Sequence, residues 1–282
     1  MSYKIGIDIG GTKILGAALV NEKIIKKEKV LLSKNTVEDF SSNLFGVINS
    51  LMANRKASEV KLGIGFPAFV ENGFIKKAPN LHYLEGYNFV NAIKRMGFKD
   101  VSIDNDVRCF ALGESIRLNL KNLIGITVGT GIGGGIIING RIYRGLGNSG
   151  EFGHMVVKPE GRKCTCGSLG CLEEYVSKRA LERETTKLFG RPIDSTEIDE
   201  RCKRGDRKAI QACRDLGFYL GIGLGNISNI LNTEVISLGG GLAQNPCIVK
   251  AATEEMRKII YYKEPKLVLG KYESGAVGAA NL

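Results

Sequence analysis

The stretch Tyr3-Lys-Ile-Gly-Ile-Asp-Ile-Gly-Gly-Thr-Lys-Ile-Leu-Gly-Ala-Ala-Leu-Val20 decides the fold. Apolar, β-branched residues flank the Gly10-Gly11 pair on both sides, which predicts a strand, a glycine turn and a second strand closing a hairpin. The turn is not a Walker phosphate loop. No G-x-x-x-x-G-K-[ST] is present, and the residues after the glycines are strand-like rather than helical.

The layout returns 119 positions later, in Ile124-Gly-Ile-Thr-Val-Gly-Thr-Gly-Ile-Gly-Gly-Gly-Ile-Ile-Ile-Asn139. At that offset Ile5/Ile124, Gly6/Gly125, Ile7/Ile126, Gly10/Gly129 and Gly16/Gly135 are identical. Matching hairpins in separate halves predict a duplicated domain, with a cleft where the two turns face each other. Between them lie an amphipathic stretch at Val37–Asn54, a strand Val60–Gly65, a loop Ala78–Tyr87, and a strand Val101–Ile103 running into a helix Val107–Leu118. Beyond the second hairpin come a Cys/His region at 154–171 and helical segments near 173–189, 194–204 and 206–232. A strand Glu234–Leu238 then ends in Gly239-Gly240-Gly241 ahead of a helix near 246–260. Strands alternating with helices imply α/β layers. Gly217, Gly221 and Gly225, four residues apart, predict a flat helix face for close packing.

Composition narrows the function classes. Over 282 residues, 43% hydrophobic and 24% charged residues describe a globular chain. The 37 glycines, about 13% of the chain, show no collagen period. The net charge of +11 is spread over scattered lysines with no basic run longer than two, so a solvated surface is expected and a nucleic-acid partner is not. Asp8 interrupts the first apolar segment, and the charge-free stretches Asn122–Gly140 and Leu216–Thr233 are rich in glycine or asparagine. Neither a signal peptide nor a membrane span is expected. Seven cysteines, three of them clustered, fit a reducing cytoplasm better than a disulfide scaffold.

Asp8 ends a buried strand just before a turn of exposed backbone N–H groups. Either its carboxylate bonds to its own turn, or it holds hydrated Mg²⁺ beside phosphates, with Thr12 and Lys13 as phosphate partners. The second turn, Gly129-Thr130-Gly131-Ile132-Gly133, offers an anion a nest of N–H groups and the Thr130 hydroxyl. Gly239–Gly241 follows a strand and precedes a helix, where α/β folds place ligands. In Ile103-Asp104-Asn105-Asp106-Val107 a carboxylate stands at a strand-to-helix junction. It is either an N-cap or the group that accepts an alcohol proton in phosphoryl transfer. For the second role Asp106 is the candidate, with Asn105 beside it as a substrate donor and acceptor.

His154, Cys164, Cys166 and Cys171 form a thiolate-rich Cys₃His set, the chemistry of a closed structural zinc shell. Cys109, Cys202, Cys213 and Cys247 fall in apolar or helical contexts and read as core thiols, and His82 reads as a loop residue. Glu151 and Glu173 flank the zinc segment, as solvated surface carboxylates or as groups that grip hydroxyls.

Together these motifs resemble the ROK family of sugar kinases in the actin/hexokinase superfamily, most closely its glucokinases. The resemblance runs end to end. It rests on Asp8-Ile-Gly-Gly-Thr-Lys13, Asn105-Asp106 with Ala111-Leu-Gly-Glu114, Thr127-Val-Gly-Thr-Gly-Ile-Gly-Gly-Gly135, Glu151-Phe-Gly-His154, Cys164-Thr-Cys-Gly-Ser-Leu-Gly-Cys-Leu-Glu173, Leu238-Gly-Gly-Gly241 and Gly275-Ala-Val-Gly-Ala-Ala280. It implies a duplicated actin-like, ribonuclease H-like α/β fold of two domains with an interdomain cleft. Residues 1–115 would form a small lobe on which 270–282 packs back, and 116–269 a large lobe carrying the zinc module. Asp106 would be the general base for the sugar hydroxyl, and Asn80, Asn105, Glu151, His154 and Glu173 would contact the sugar. Asp8, Gly10, Gly11, Thr12, Lys13, Thr130, Gly131 and Gly133 would line the ATP phosphates with Mg²⁺, and Gly240 and Gly241 the adenosine. His154 would ligate zinc as well as touch the sugar.

The resemblance implies an ATP-dependent hexokinase acting on glucose or a close relative, cytoplasmic and homodimeric. Fructose, mannose, allose, N-acetylmannosamine and N-acetylglucosamine are the rival sugars. The loop from Asn80 to Tyr87 lacks the tryptophan common in glucokinases. The family also contains sugar-responsive repressors with a helix-turn-helix ahead of the kinase-like part. A strand starting at Tyr3, with a carboxylate at Asp106, favours the kinase over such a non-catalytic sensor.

Overall fold

A computed structural model describes residues 2–32, 36–71, 74–78 and 81–282. They form two compact units, Met1–Lys121 with Ile137–Ile142 and Lys271–Leu282, and Asn122–Ile136 with Tyr143–Gly270.

The first unit contains β1 (Tyr3–Ile9), β2 (Lys13–Val20), β3 (Lys23–Leu31), α1 (Val37–Met52), β4 (Val60–Phe66), β5 (Phe69–Glu71), β6 (Phe74–Lys77), α2 (Phe89–Arg95), β7 (Asp100–Asn105) and α3 (Asp106–Leu118). Its main sheet runs β3-β2-β1-β4-β7, while β5 and β6 form a separate ribbon. The opening hairpin is as expected, antiparallel from Tyr3↔Val20 to Ile9↔Ile14. Parallel β4 and β7 then extend the sheet on the other side of β1. Residues Ile5, Ile7 and Ile9 of β1 and Leu62 and Ile64 of β4 are fully buried, against Phe40, Leu44, Ile48 and Leu51 of α1. That spacing on α1 is one apolar stripe of a 3.6-residue period. The helix begins where the Thr36 side chain accepts the Asp39 N–H.

The rest of the chain contributes β8 (Leu123–Val128), β9 (Ile132–Ile138), β10 (Arg141–Tyr143), α4 (Lys178–Phe189), α5 (Ser195–Lys203), α6 (Arg207–Leu231), β11 (Val235–Gly239), α7 (Pro246–Ile259), β12 (Lys266–Leu269) and α8 (Ser274–Ala279). The second sheet runs β10-β9-β8-β11-β12, the same sequence of roles as the first. Even the second hairpin turns correspond. Asn21-Glu22 joins β2 to β3 and Asn139-Gly140 joins β9 to β10, each pair left-handed, as tight two-residue hairpins require. The flat face read on α6 packs on α7: a Cβ on Gly217 would lie 2.7 Å from the Ile248 carbonyl oxygen, and one on Gly221 2.6 Å from that of Ala252.

Several elements differ from the sequence reading. The helix expected from 173 begins at Lys178, because the Ser177 side chain caps it by accepting the Ala180 N–H. Only a 3₁₀ turn at Leu172–Glu174 precedes it. Strands β3 and β12 carry no clear signal in the sequence. β3 is a largely exposed, lysine-rich edge without an apolar face, and β12 spans only four residues.

The C-terminal segment packs within the first unit as α8. A Cβ on Gly6, Gly63 or Gly113 would stand 1.8, 1.7 or 1.9 Å from the carbonyl oxygens of Ala276, Ala279 and Ser274. The backbone of α8 therefore rests directly on β1, β4 and α3, which only glycine permits. A buried carboxylate secures it. Glu114 on α3 is fully buried, pairs with Arg117 at 2.5 Å, accepts the Lys271 N–H at 3.0 Å, and accepts the Ser274 hydroxyl.

Candidate active site

In the first unit, β1 delivers Asp8 to the edge of the glycine turn. The Gly10 N–H donates to the Lys13 carbonyl at 2.9 Å, which closes the turn and leaves Gly11 and Thr12 exposed. Burial pushes the Asp8 carboxyl up to about 7; the charge of Asp106 adds to the rise and Lys13 opposes it. Part of the desolvation comes from α8, since a Cβ on Gly275 would lie 2.5 Å from Asp8 Oδ2. The Lys13 ammonium lies over the Tyr272 ring, 4.2 Å from its centroid.

The junction of β7 and α3 shows which of residues 104–106 caps the helix. Asn105 is the cap: its Oδ1 accepts the Val107 and Arg108 N–H groups at 3.0 and 3.2 Å. Asp104 turns away, accepting the Asn105 N–H at 2.8 Å and pairing with Arg108 Nε at 3.1 Å. Asp106 is therefore the first residue of the helix rather than its cap, close enough to Asp8 for the two charges to interact. Capping occupies the acceptor of Asn105 and leaves its Nδ2 amide as the group it can offer a ligand. Asn80 lies outside the described residues. His82, read as a loop residue, is exposed at the start of the 3₁₀ turn His82–Leu84, with Nδ1 3.2 Å from Glu85.

In the second unit the turn after β8 is held by the Gly129 N–H on the Gly131 carbonyl, 2.9 Å, and by the Lys178 N–H on the Gly129 carbonyl, 2.8 Å. Thr130 is exposed at its tip, next to half-buried Gly131, and Gly133 has already entered β9. Glu173 reaches this turn, because a Cβ on Gly131 would lie 2.8 Å from its Oε2. Its other oxygen is 3.5 Å from Cys164 Sγ. The turn, Glu173 and the cysteine loop are thus one neighbourhood. Glu151 is exposed at the start of the 3₁₀ turn Phe152–His154. Gly240 has a φ of +85°, and a Cβ there would strike the Val128 carbonyl oxygen at 2.3 Å, so the Gly239–Gly241 turn rests on the end of β8.

The donor atoms of His154, Cys164, Cys166 and Cys171 all lie within 4.8 Å of one another. His154 Nδ1 is 3.7 Å from Cys164 Sγ, and Cys166 and Cys171 sulfurs are also 3.7 Å apart. The Ser168 N–H beside its sulfur draws Cys166 down to about 6, while burial pushes Cys171 up to about 12. Left to themselves these thiols do not ionise together; a divalent cation is what makes such a set favourable. The three sulfurs and one imidazole nitrogen fit zinc.

Sequence reading misses Tyr272 and Gly275 as neighbours of Lys13 and Asp8. Those residues are some 260 positions apart in sequence, and no local pattern links them.

The sequence matches the ROK family over residues 4–282, and the chain belongs to that family. It is a sugar kinase with the actin-like fold of that family. Among characterised relatives, it is 32% identical to an N-acetyl-D-glucosamine kinase of Mannheimia succiniciproducens, over 98% of each chain. It is 30% identical to a glucokinase of Thermotoga maritima, over 99% of this chain and 96% of that one. The crystal structure of a ROK glucokinase from Streptomyces griseus with glucose and AMPPNP superposes with a TM-score of 0.81 at 28% identity, covering 99% and 98% of the two chains.

Proposed function

We propose that the protein transfers the γ-phosphoryl group of MgATP to the 6-hydroxyl of glucose or a closely related hexose. The observation that carries this reading is the placement of Asp106 on the first turn of α3, beside the Asp8 carboxyl and with capping left to Asn105. In the reaction, Asp106 accepts the hydroxyl proton as the sugar oxygen bonds to the γ-phosphorus and the bond to the leaving ADP oxygen breaks. Backbone N–H groups of the turns at Gly10–Lys13 and Gly129–Gly131 receive the phosphate charge, with the Thr12 and Thr130 hydroxyls and the Lys13 ammonium. Magnesium, held beside Asp8 as part of the nucleotide substrate, supplies charge neutralisation. Gly240 and Gly241 admit the adenosine. Asn105, through its amide, and Glu151, His154, Glu173 and Asn80 orient the sugar. Zinc on His154, Cys164, Cys166 and Cys171 would fix the loop that presents Glu173.

N-acetylglucosamine is the second reading, favoured by the 32% identity to a kinase of that sugar. A coupled assay over glucose, N-acetylglucosamine, N-acetylmannosamine, mannose, fructose and allose, with the product's phosphate position assigned, tests both. The highest kcat/KM on glucose supports the first reading, on N-acetylglucosamine the second, and turnover of none overturns the kinase assignment. A homodimeric assembly and a cytoplasmic location accompany this proposal through the family resemblance.

A further inference from the structure

Three of the four cysteines read as separate core thiols converge. Cys202 lies in the last turn of α5, Cys213 on α6 and Cys247 in the first turn of α7, and the three interact electrostatically. Cys202 and Cys213 sulfurs are 3.5 Å apart. Cys213 is fully buried, whereas Cys202 is half-buried and reachable from solvent. Helices α5 and α6 form a tight hairpin, in which Arg201 bonds both Glu197, at 2.8 Å, and Asp206, at 3.1 Å. The other side of α5 faces the turn after β11. The Ser195 hydroxyl is 3.8 Å from where a Cβ on Gly241 would be, and Asn245 Nδ2 donates to Asp199 Oδ1 at 3.5 Å.

We infer that Cys202 and Cys213 form a reversible dithiol modification site, whose oxidation to a disulfide draws α5 towards α6 and loosens nucleotide binding at the Gly239–Gly241 turn. The nucleotide part rests on the proposed kinase reading; the disulfide part does not. The oxidant is a hydroperoxide. The Cys202 thiolate attacks the peroxide, an S–O bond forms and the O–O bond breaks, and the leaving oxygen takes a proton to become water or an alcohol. The Cys213 sulfur then attacks the Cys202 sulfenic acid. The S–S bond forms, the S–O bond breaks, and the hydroxyl leaves as water with the Cys213 proton. Two thiols have lost two electrons and two protons, and the peroxide has gained them. A disulfide bond is about 2.0 Å long, so the sulfurs must close by about 1.5 Å, which moves the end of α5. Burial raises the Cys202 thiol to about 11 and lifts Cys213 as well. The thiolate is therefore scarce, and the site responds to sustained rather than brief oxidant.

The test treats zinc-loaded, full-length protein with hydrogen peroxide and maps peptides by mass spectrometry. The expected result is a loss of about 2 Da, a peptide linking residues 202 and 213, full reversal by dithiothreitol, and a several-fold higher KM for ATP with the sugar KM unchanged. In Cys213→Ala the linkage and the KM change disappear, while dimedone captures the sulfenic acid at Cys202. A linkage of Cys202 to Cys247, the absence of any linkage, or a KM change that persists in Cys213→Ala overturns the inference. Linkage without a KM change, in protein active before treatment, overturns its nucleotide half. Protein inactive before treatment counts against the kinase reading, and the disulfide is then judged on mass alone.

Discussion

Asp8, buried beside Asp106, is held in a state unusual for an aspartate. Burial does most of the work and the neighbouring charge adds to it, so that the Asp8 carboxyl titrates at about 7. The pair sits where two independent chain segments end, β1 and β7, and α8 closes over one side of it through Gly275.

The shift has a stability consequence with a definite sign. The ordinary value is 3.8 and the folded value about 7, so the folded chain holds the extra proton between them. Stability from this group is complete below 3.8 and is lost as the pH rises through 7. About three units at ~1.4 kcal/mol each set an upper limit near ~4 kcal/mol. Asp8→Asn, which cannot ionise, should be more stable than the wild type at pH 8 by about 1–4 kcal/mol, and the advantage should shrink towards pH 4.5. Urea unfolding at the two pH values measures it; a difference independent of pH would contradict the assignment.

Zinc should be countable. Wild-type protein is expected to carry about one zinc per chain, and Cys166→Ser should lose it. Cys166 is exposed, so the serine leaves no cavity. The variant should melt at lower temperature and show a higher sugar KM, with kcat changed less than about threefold. Metal analysis with steady-state kinetics decides; unchanged zinc content and sugar KM would refute the structural role of the ion.

The buried Glu114 should hold the C-terminal segment. Glu114→Ala removes the partner of Arg117, the Lys271 N–H and the Ser274 hydroxyl together. The expected cost is about 3–5 kcal/mol. Hydrogen exchange over 271–282 should accelerate before that of α1. Uniform acceleration across the unit would argue against a local tether.

Two glycines on the same unit should respond oppositely to alanine. Gly63→Ala drives a methyl to 1.7 Å from the Ala279 carbonyl oxygen and should destabilise by about 1–3 kcal/mol. Gly46→Ala, inside α1 with nothing within 4 Å, should stabilise by about 0.5–1 kcal/mol. Chemical denaturation of the two variants gives the comparison.

Local chemistry makes much of this legible in advance. Alternation around Gly10-Gly11 and its echo at Gly129–Gly131 reveal both hairpins, because strand period and turn glycines are short-range signals. Histidine and cysteine spacing likewise marks the Cys/His cluster, since its members lie within 18 residues of one another. Long-range contacts leave no such trace. Nothing around Gly6 or Gly63 announces a helix from the far end of the chain. The convergence of Cys202, Cys213 and Cys247 depends on how α5, α6 and α7 pack. At 104–106 the three polar residues are interchangeable by pattern; only the backbone bonds to Asn105 Oδ1 show which one is the cap.

The central claim is that Asp106 takes the proton from the sugar, and Asp106→Asn tests it most directly. Asparagine at that position keeps the shape and spares the cap at Asn105. The account predicts a fall in kcat of at least about 10³-fold, with the sugar Kd by calorimetry within about threefold of wild type and an unchanged circular dichroism spectrum. A variant that retains wild-type kcat would contradict it.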